Sequence, residues 1–295
     1  MNGLLVAAVM AAMASGSGQE AAPQEPQTPA TSVEEVVVEG RRLEETVRAF
    51  VDEVAAPPPG RRLARWDREI CVGAANLQPA YAQFMIDRIA TAAVQVGLTS
   101  GEPGCRPDIM VIGSDDADAL ATRLVADNPQ GFRPARSGTD MGEEALEAFV
   151  NSDAPVRWWH ISLPVSVDTG DPAITLQGED IATVTVRDAS RLRSNVREDL
   201  ARVVVILDVT RIGRVNFGAL SDYVAMVALA QLDPQAETTG YDTVLNLFAQ
   251  PTLTGMTAWD RDYLTALYAA PRDRLRANQQ IRDLIRGMAV PSETD

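Results

Sequence analysis

Arg202, Val203, Val204, Val205, Ile206, Leu207, Asp208 and Val209 form a run of aliphatic, mostly β-branched side chains interrupted by one carboxylate. A run this short with no polar alternation predicts a central strand buried on both faces. Upstream, residues 107–112 (Pro-Asp-Ile-Met-Val-Ile) predict a second apolar strand, ending at Gly113, Ser114, Asp115 and Asp116. It follows a helix over 78–96 with Pro79 in its first turn, and a strand over 69–75. That strand–helix–strand unit predicts two parallel strands joined by a right-handed crossover. Residues 156–165, carrying Trp158 and Trp159, and 182–186 (Ala-Thr-Val-Thr-Val) predict two more strands. Short helices are expected at 116–126, 142–149 and 195–201. Downstream of the central run the pattern turns helical, over 216–232, 242–248, 257–269 and 271–288. Strands early and helices late give an α+β, or mixed α/β, fold: a twisted mixed sheet of about five strands, flanking helices and a helical C-terminal part.

The N-terminal sixty residues differ in character. Residues 4–14 are apolar but too short to span a bilayer, and Ala12-Met13-Ala14 has the A-x-A pattern of signal cleavage. The segment 1–18 is therefore expected to be a signal peptide, and the chain periplasmic or secreted, with no transmembrane span. Residues 19–60 are expected to be a disordered linker, rich in Pro, Gln, Ala and Thr at first, carrying a short strand and a helix. The strand is expected within Glu34, Glu35, Val36, Val37, Val38, Glu39, Gly40, Arg41 and Arg42, which resembles the acidic-valine-glycine-arginine segment near the mature N-terminus of TonB-dependent receptors. The helix is expected over 43–54, with Leu43, Val47, Phe50, Val51 and Val54 on one face. Pro57, Pro58 and Pro59 end it, and a single globular domain is expected over 61–290.

The chain has 295 residues, a net charge of −15, and no lysine: every basic residue is arginine. The acidic balance argues against nucleic acid or an anionic membrane as the main partner, because there is no cation surplus to release counterions. A local basic group remains at Arg187, Arg191, Arg193, Arg197 and Arg202. Cys71 and Cys105 are the two cysteines. An even count in an exported chain points to one disulfide, with two buried thiols as the alternative.

His160 is the one histidine, so any Ser–His–Asp triad would need it. On its strand, Trp158 and His160 share one face and Arg157 and Trp159 the other. The pair Trp158 and His160 is a candidate ligand platform or lone base; the alternative is an imidazole bonded to nearby backbone. Asp115 and Asp116, at the end of a parallel strand, are candidates for cation binding or acid–base work; the alternative is capping of the following helix.

Thr257, Asp260, Leu264, Leu267 and Tyr268 form a capped helix that resembles the closing helix of metzincin peptidases, with Tyr241 to Phe248 in the place of that fold's turn segment. The order strand, helix, turn segment, helix is also similar to a metzincin-like domain family of unknown function in secreted alphaproteobacterial proteins. The resemblance implies a peptidase-like half, yet the helix that would carry H-E-x-x-H has no histidine. A catalytic site, a metal and a cofactor are all expected to be lacking. The expectation is a non-catalytic exported protein with a degenerate peptidase-like domain, binding an unknown envelope protein. The alternatives are a carboxylate-based hydrolase using Asp115 or Asp116, and a TonB-system accessory protein engaged through Val36 to Gly40.

Overall fold

A computed structural model describes residues 33–58, 60–133, 139–175, 182–187 and 191–289. The expected signal segment and the first part of the linker lie outside the described residues. In order, the elements are α1 (Val33–Val54), β1 (Glu69–Ile70), β2 (Val72–Ala75), α2 (Pro79–Gln95), β3 (Thr99–Ser100), β4 (Ile109–Ser114), α3 (Ala117–Asp127), α4 (Pro129–Phe132) and α5 (Glu143–Val150). They continue with β5 (Val156–Ser166), β6 (Ile174–Thr175), β7 (Ala182–Thr183), β8 (Val196–Asp208), α6 (Phe217–Leu229), a 3-10 turn (Val244–Asn246), α7 (Ala258–Ala269) and α8 (Ala277–Met288).

The fold is mixed α+β. The main sheet has the order β2-β4-β8-β5, with β2, β4 and β8 parallel and β5 antiparallel to β8. The expected strand–helix–strand unit is present as β2, α2 and β4, with β2 and β4 adjacent. Strand β8 is central, as its two-sided aliphatic run requires. Val203, Val205 and Leu207 enter the larger core, with α1, α2, α6, α7 and α8; Val204 and Ile206 enter a smaller one with α3 and α5. Strand β5 alternates in the same way: Val156 and Trp158 face the larger core, Trp159 and Ile161 the smaller.

Five expectations need correction. Residues 34–42 are helical backbone, the N-terminal half of α1, rather than a strand. Further along α1, Val47, Phe50, Val51 and Val54 are fully buried in the main core, so the domain begins before residue 61. Residues 196–201 are the start of β8, not a helix, because they pair along β5 from Ser162 to Ser166; a register shift beside Ile161 leaves Ala201 without an opposite residue. Residues 182–183 pair only with β6, forming a separate two-stranded ribbon, so the main sheet has four strands. The segment 242–248 is a single turn: Thr243 Oγ1 accepts from Leu245 N and Asp260 accepts from Val244 N, which diverts the backbone from a continuing helix.

Helix α7 starts where its sequence says. Thr257 Oγ1 accepts from Asp260 N (3.2 Å), and Asp260 Oδ2 accepts from Thr257 N (2.9 Å), a reciprocal capping box. An ion-pair network fastens the 61–67 segment, the start of β8 and the 272–274 loop. Arg197 pairs with Asp67 and Asp199, Arg272 with the same two acids, and Arg62 donates to the carbonyls of Val196 (2.6 Å) and Arg274 (3.0 Å).

Cys71, between β1 and β2, is bonded to Cys105, ahead of β4, over a sequence separation of 34. Closing a loop of that length restricts the unfolded chain, which stabilises the fold by about 3–4 kcal/mol. Replacing both cysteines by serine should lower the urea-unfolding free energy by that order and steepen the slope, because the unbridged unfolded chain exposes more surface. A loss under about 1 kcal/mol would show the bridge to be incidental to stability.

Candidate functional site

Helix α6 is enclosed: every residue from Ala219 to Leu229 is buried. A helix leaves its last four carbonyls without intrahelical partners. Here Met226 O accepts from Ala230 N (3.2 Å) and the next three accept from aromatic side chains. Val227 O accepts from His160 Nε2 (2.7 Å), Ala228 O from Trp66 Nε1 (2.9 Å) and Leu229 O from the Tyr268 hydroxyl (2.9 Å). Beyond the helix, Leu232 O accepts from Trp158 Nε1 (3.1 Å). Burial drives the His160 pKa down to about 4, so at neutral pH the imidazole is uncharged and its Nε2 proton is held by Val227. Two polar side chains of α6 are engaged as well. Ser221 donates to Phe217 O (2.8 Å), and Asp222 accepts from Arg88 (two bonds of 2.6 Å) and from Met256 N (2.8 Å). Among the described residues, no group of three or more His, Cys, Asp or Glu is placed to hold a metal ion.

Asp115 and Asp116 do not converge on a hollow. Both are exposed, and Asp116 caps α3 by accepting from Ala119 N (2.9 Å) while its own N–H is held by Ser114 Oγ (3.1 Å).

Trp158 and His160 are brought to a cavity of about 300 Å³. Its floor is Arg157, Trp158, Trp159 and His160; one wall is α5, through Glu144, Ala145, Ala148 and Phe149; the other is residues 232–235 with Ala56. Side chains from both faces of one strand can border a single cavity only where the cavity lies along that strand's free edge. β5 is an edge strand of the main sheet.

The ladder fixes which backbone groups face this cavity. Val156 lies opposite Leu207, and Asp208 N donates to Pro155 O (2.9 Å), so Val156–Leu207 is a non-hydrogen-bonded pair. Parity then directs the N–H and C=O of Arg157 and Trp159 toward β8, and those of Trp158 and His160 outward. Farther along, the edge is covered: Ser162 N donates to Thr139 O (2.9 Å), Ser166 N to Asp171 O (2.8 Å), and Ala173 N to Pro164 O (2.8 Å). At Trp158 and His160 no described residue supplies such a partner. Arg157 anchors the α5 wall: Nη1 donates to Val150 O (2.9 Å), and Nη2 to Ser152 O (2.6 Å) and Asp118 Oδ1 (2.5 Å).

Sequence reasoning singled out Trp158 and His160 but missed Glu144, Ala148 and Asp233. Their relation to β5 depends on strand order, which no local pattern carries. Compared with protein-family models, curated proteins and solved structures, the chain matches none.

Proposed function

We propose that this chain is an exported, non-catalytic binding protein that captures an extended segment of an envelope polypeptide as a fifth strand on the main sheet. The observation that carries the reading is the open stretch of β5, where Trp158 and His160 present two N–H and two C=O groups inside a walled cavity. Strand addition uses such groups for affinity and the flanking walls for selection. The spent imidazole and the enclosed α6 favour binding over catalysis, and the succession β8, α6, turn, α7 is then a peptidase-like half turned to structural use. Export is supported by the apolar leader-like residues 4–14 and by the Cys71–Cys105 bridge, which suits an oxidising compartment. Among the described residues no helix is long and apolar enough to cross a membrane.

Amide hydrogen exchange tests the edge directly. In the free protein the Trp158 and His160 amides should exchange at least tenfold faster than those of Arg157 and Trp159. A decapeptide enriched by panning a random library on residues 33–295 should slow them to match, and Ala148→Trp, which fills the cavity from α5, should abolish its binding. Enriched peptides that leave these two amides unprotected, or that bind Ala148→Trp unchanged, would remove the proposal.

A further inference from the structure

The two walls of the β5 cavity carry one exposed carboxylate each: Glu144 on α5 and Asp233 on the opposite segment. Neither forms an ion pair among the described residues. Among the described residues, Asp233 Oδ1 accepts from the nearby Gln235 N alone (2.8 Å). Arg157, the one cation among the described residues lining the cavity, is buried against Asp118 and backbone carbonyls and so does not offset them. Building on the strand-addition reading, we infer that the captured segment is cationic, with two Lys or Arg side chains an odd number of positions apart.

The spacing follows from the pleat. Successive side chains of an added strand point to opposite faces of the sheet, whichever way the strand runs. A residue opposite Trp158 or His160 directs its side chain to the face of residues 232–235, where Asp233 stands; a residue opposite Trp159 directs it to α5, where Glu144 stands. One cation for each wall requires an odd separation; an even one sends both to the same wall.

Charge also decides between possible occupants. A second copy of this chain would bring another −15 to an acidic cleft. The chain's own residues 1–32 contain Glu20 and Glu25 and no Lys or Arg, so they have no pair of basic side chains to offer. A separate basic polypeptide fits on both counts.

The test uses capped, dye-labelled octapeptides of alternating Thr and Val. The set has no charge, two Lys one position apart, two Lys two positions apart, or two Glu one position apart. Anisotropy titrations with residues 33–295 at 50 mM NaCl are expected to give at least tenfold tighter binding for the odd-spaced Lys peptide than for the neutral one. The even-spaced isomer should fall between them and the Glu peptide should bind most weakly. Glu144→Gln and Asp233→Asn should each weaken the odd-spaced Lys peptide at least threefold and leave the neutral peptide unchanged. Raising NaCl to 500 mM should erase the advantage of lysine. Equal binding of neutral and Lys peptides overturns the charge inference and leaves strand addition standing. Equal binding of the two Lys isomers overturns the spacing. Failure of all four peptides to bind, with no change in Trp158 and His160 amide exchange, overturns both readings.

Discussion

Asp260→Ala should lower the free energy of unfolding by about 4 kcal/mol, the largest loss expected from any single substitution on the helical side. The carboxylate is fully buried and accepts four hydrogen bonds: from Thr243 Oγ1 (2.5 Å), Val244 N (2.8 Å), Thr257 N (2.9 Å) and Thr257 Oγ1 (2.9 Å). The two hydroxyls can turn elsewhere when the acceptor goes; the two amides cannot. Each buried amide left bare costs roughly 1–3 kcal/mol, and the capping box of α7 is lost with them. Burial raises the Asp260 pKa while these hydrogen bonds lower it, so the site opposes charge and rewards it at once. For a domain of this size the melting temperature should drop by about 8–16 °C. Asp260→Asn keeps one acceptor oxygen and should lose about half as much. A drop below 3 °C for the alanine variant would mean that the turn and α7 are held by apolar packing alone.

The second large effect is a pH dependence centred on His160. The unfolded chain takes up a proton near the ordinary histidine pKa of about 6.5, whereas burial holds the folded imidazole near 4. Stability is therefore complete above pH 6.5 and is lost progressively as pH falls to 4, by up to about 3 kcal/mol from this residue. Carboxylates titrate in part of the same window, so the informative quantity is a difference. His160→Gln removes the titration and retains a donor group. Wild type minus variant, measured by urea unfolding at pH 7, 6, 5 and 4, should decline steadily with acid. A difference that is flat across that range would place the imidazole in contact with water and undo the enclosed picture of α6.

The parts of the fold legible in the sequence are those written locally. The β2, α2, β4 unit shows in two apolar runs around a Pro-started helix, and the α7 start in Thr257 and Asp260. The strand β8 shows only in its second half. Its first half, Val196 to Ala201, contains Arg, Glu, Asp and Leu, good partners for a helix. Pairing with the far half of β5 overrides that preference. Val36, Val37 and Val38 mislead in the opposite sense, β-branched residues whose backbone belongs to a helix of 22 residues with later turns fixed by Phe50 and Val54 in the core. The candidate site was half visible. The two-face alternation around His160 could be read, and it places Trp158 beside the imidazole. That β5 lies at the margin, and that α5 and residues 232–235 stand over it, is a matter of strand order and needs the assembled sheet.

The closure of α6 ties distant parts of the chain into one event. Its terminal carbonyls are met by Trp66, His160 and Tyr268, sequence separations of 162, 67 and 39. No fragment ending before the last helices can complete that set, and none beginning after β1 can either. The helix thus becomes stable only when three remote stretches have already arrived, which makes folding slow to nucleate and all-or-none once begun. A growing chain would therefore stay open until Tyr268 was free to join Trp66 and His160, and would then close in a single step.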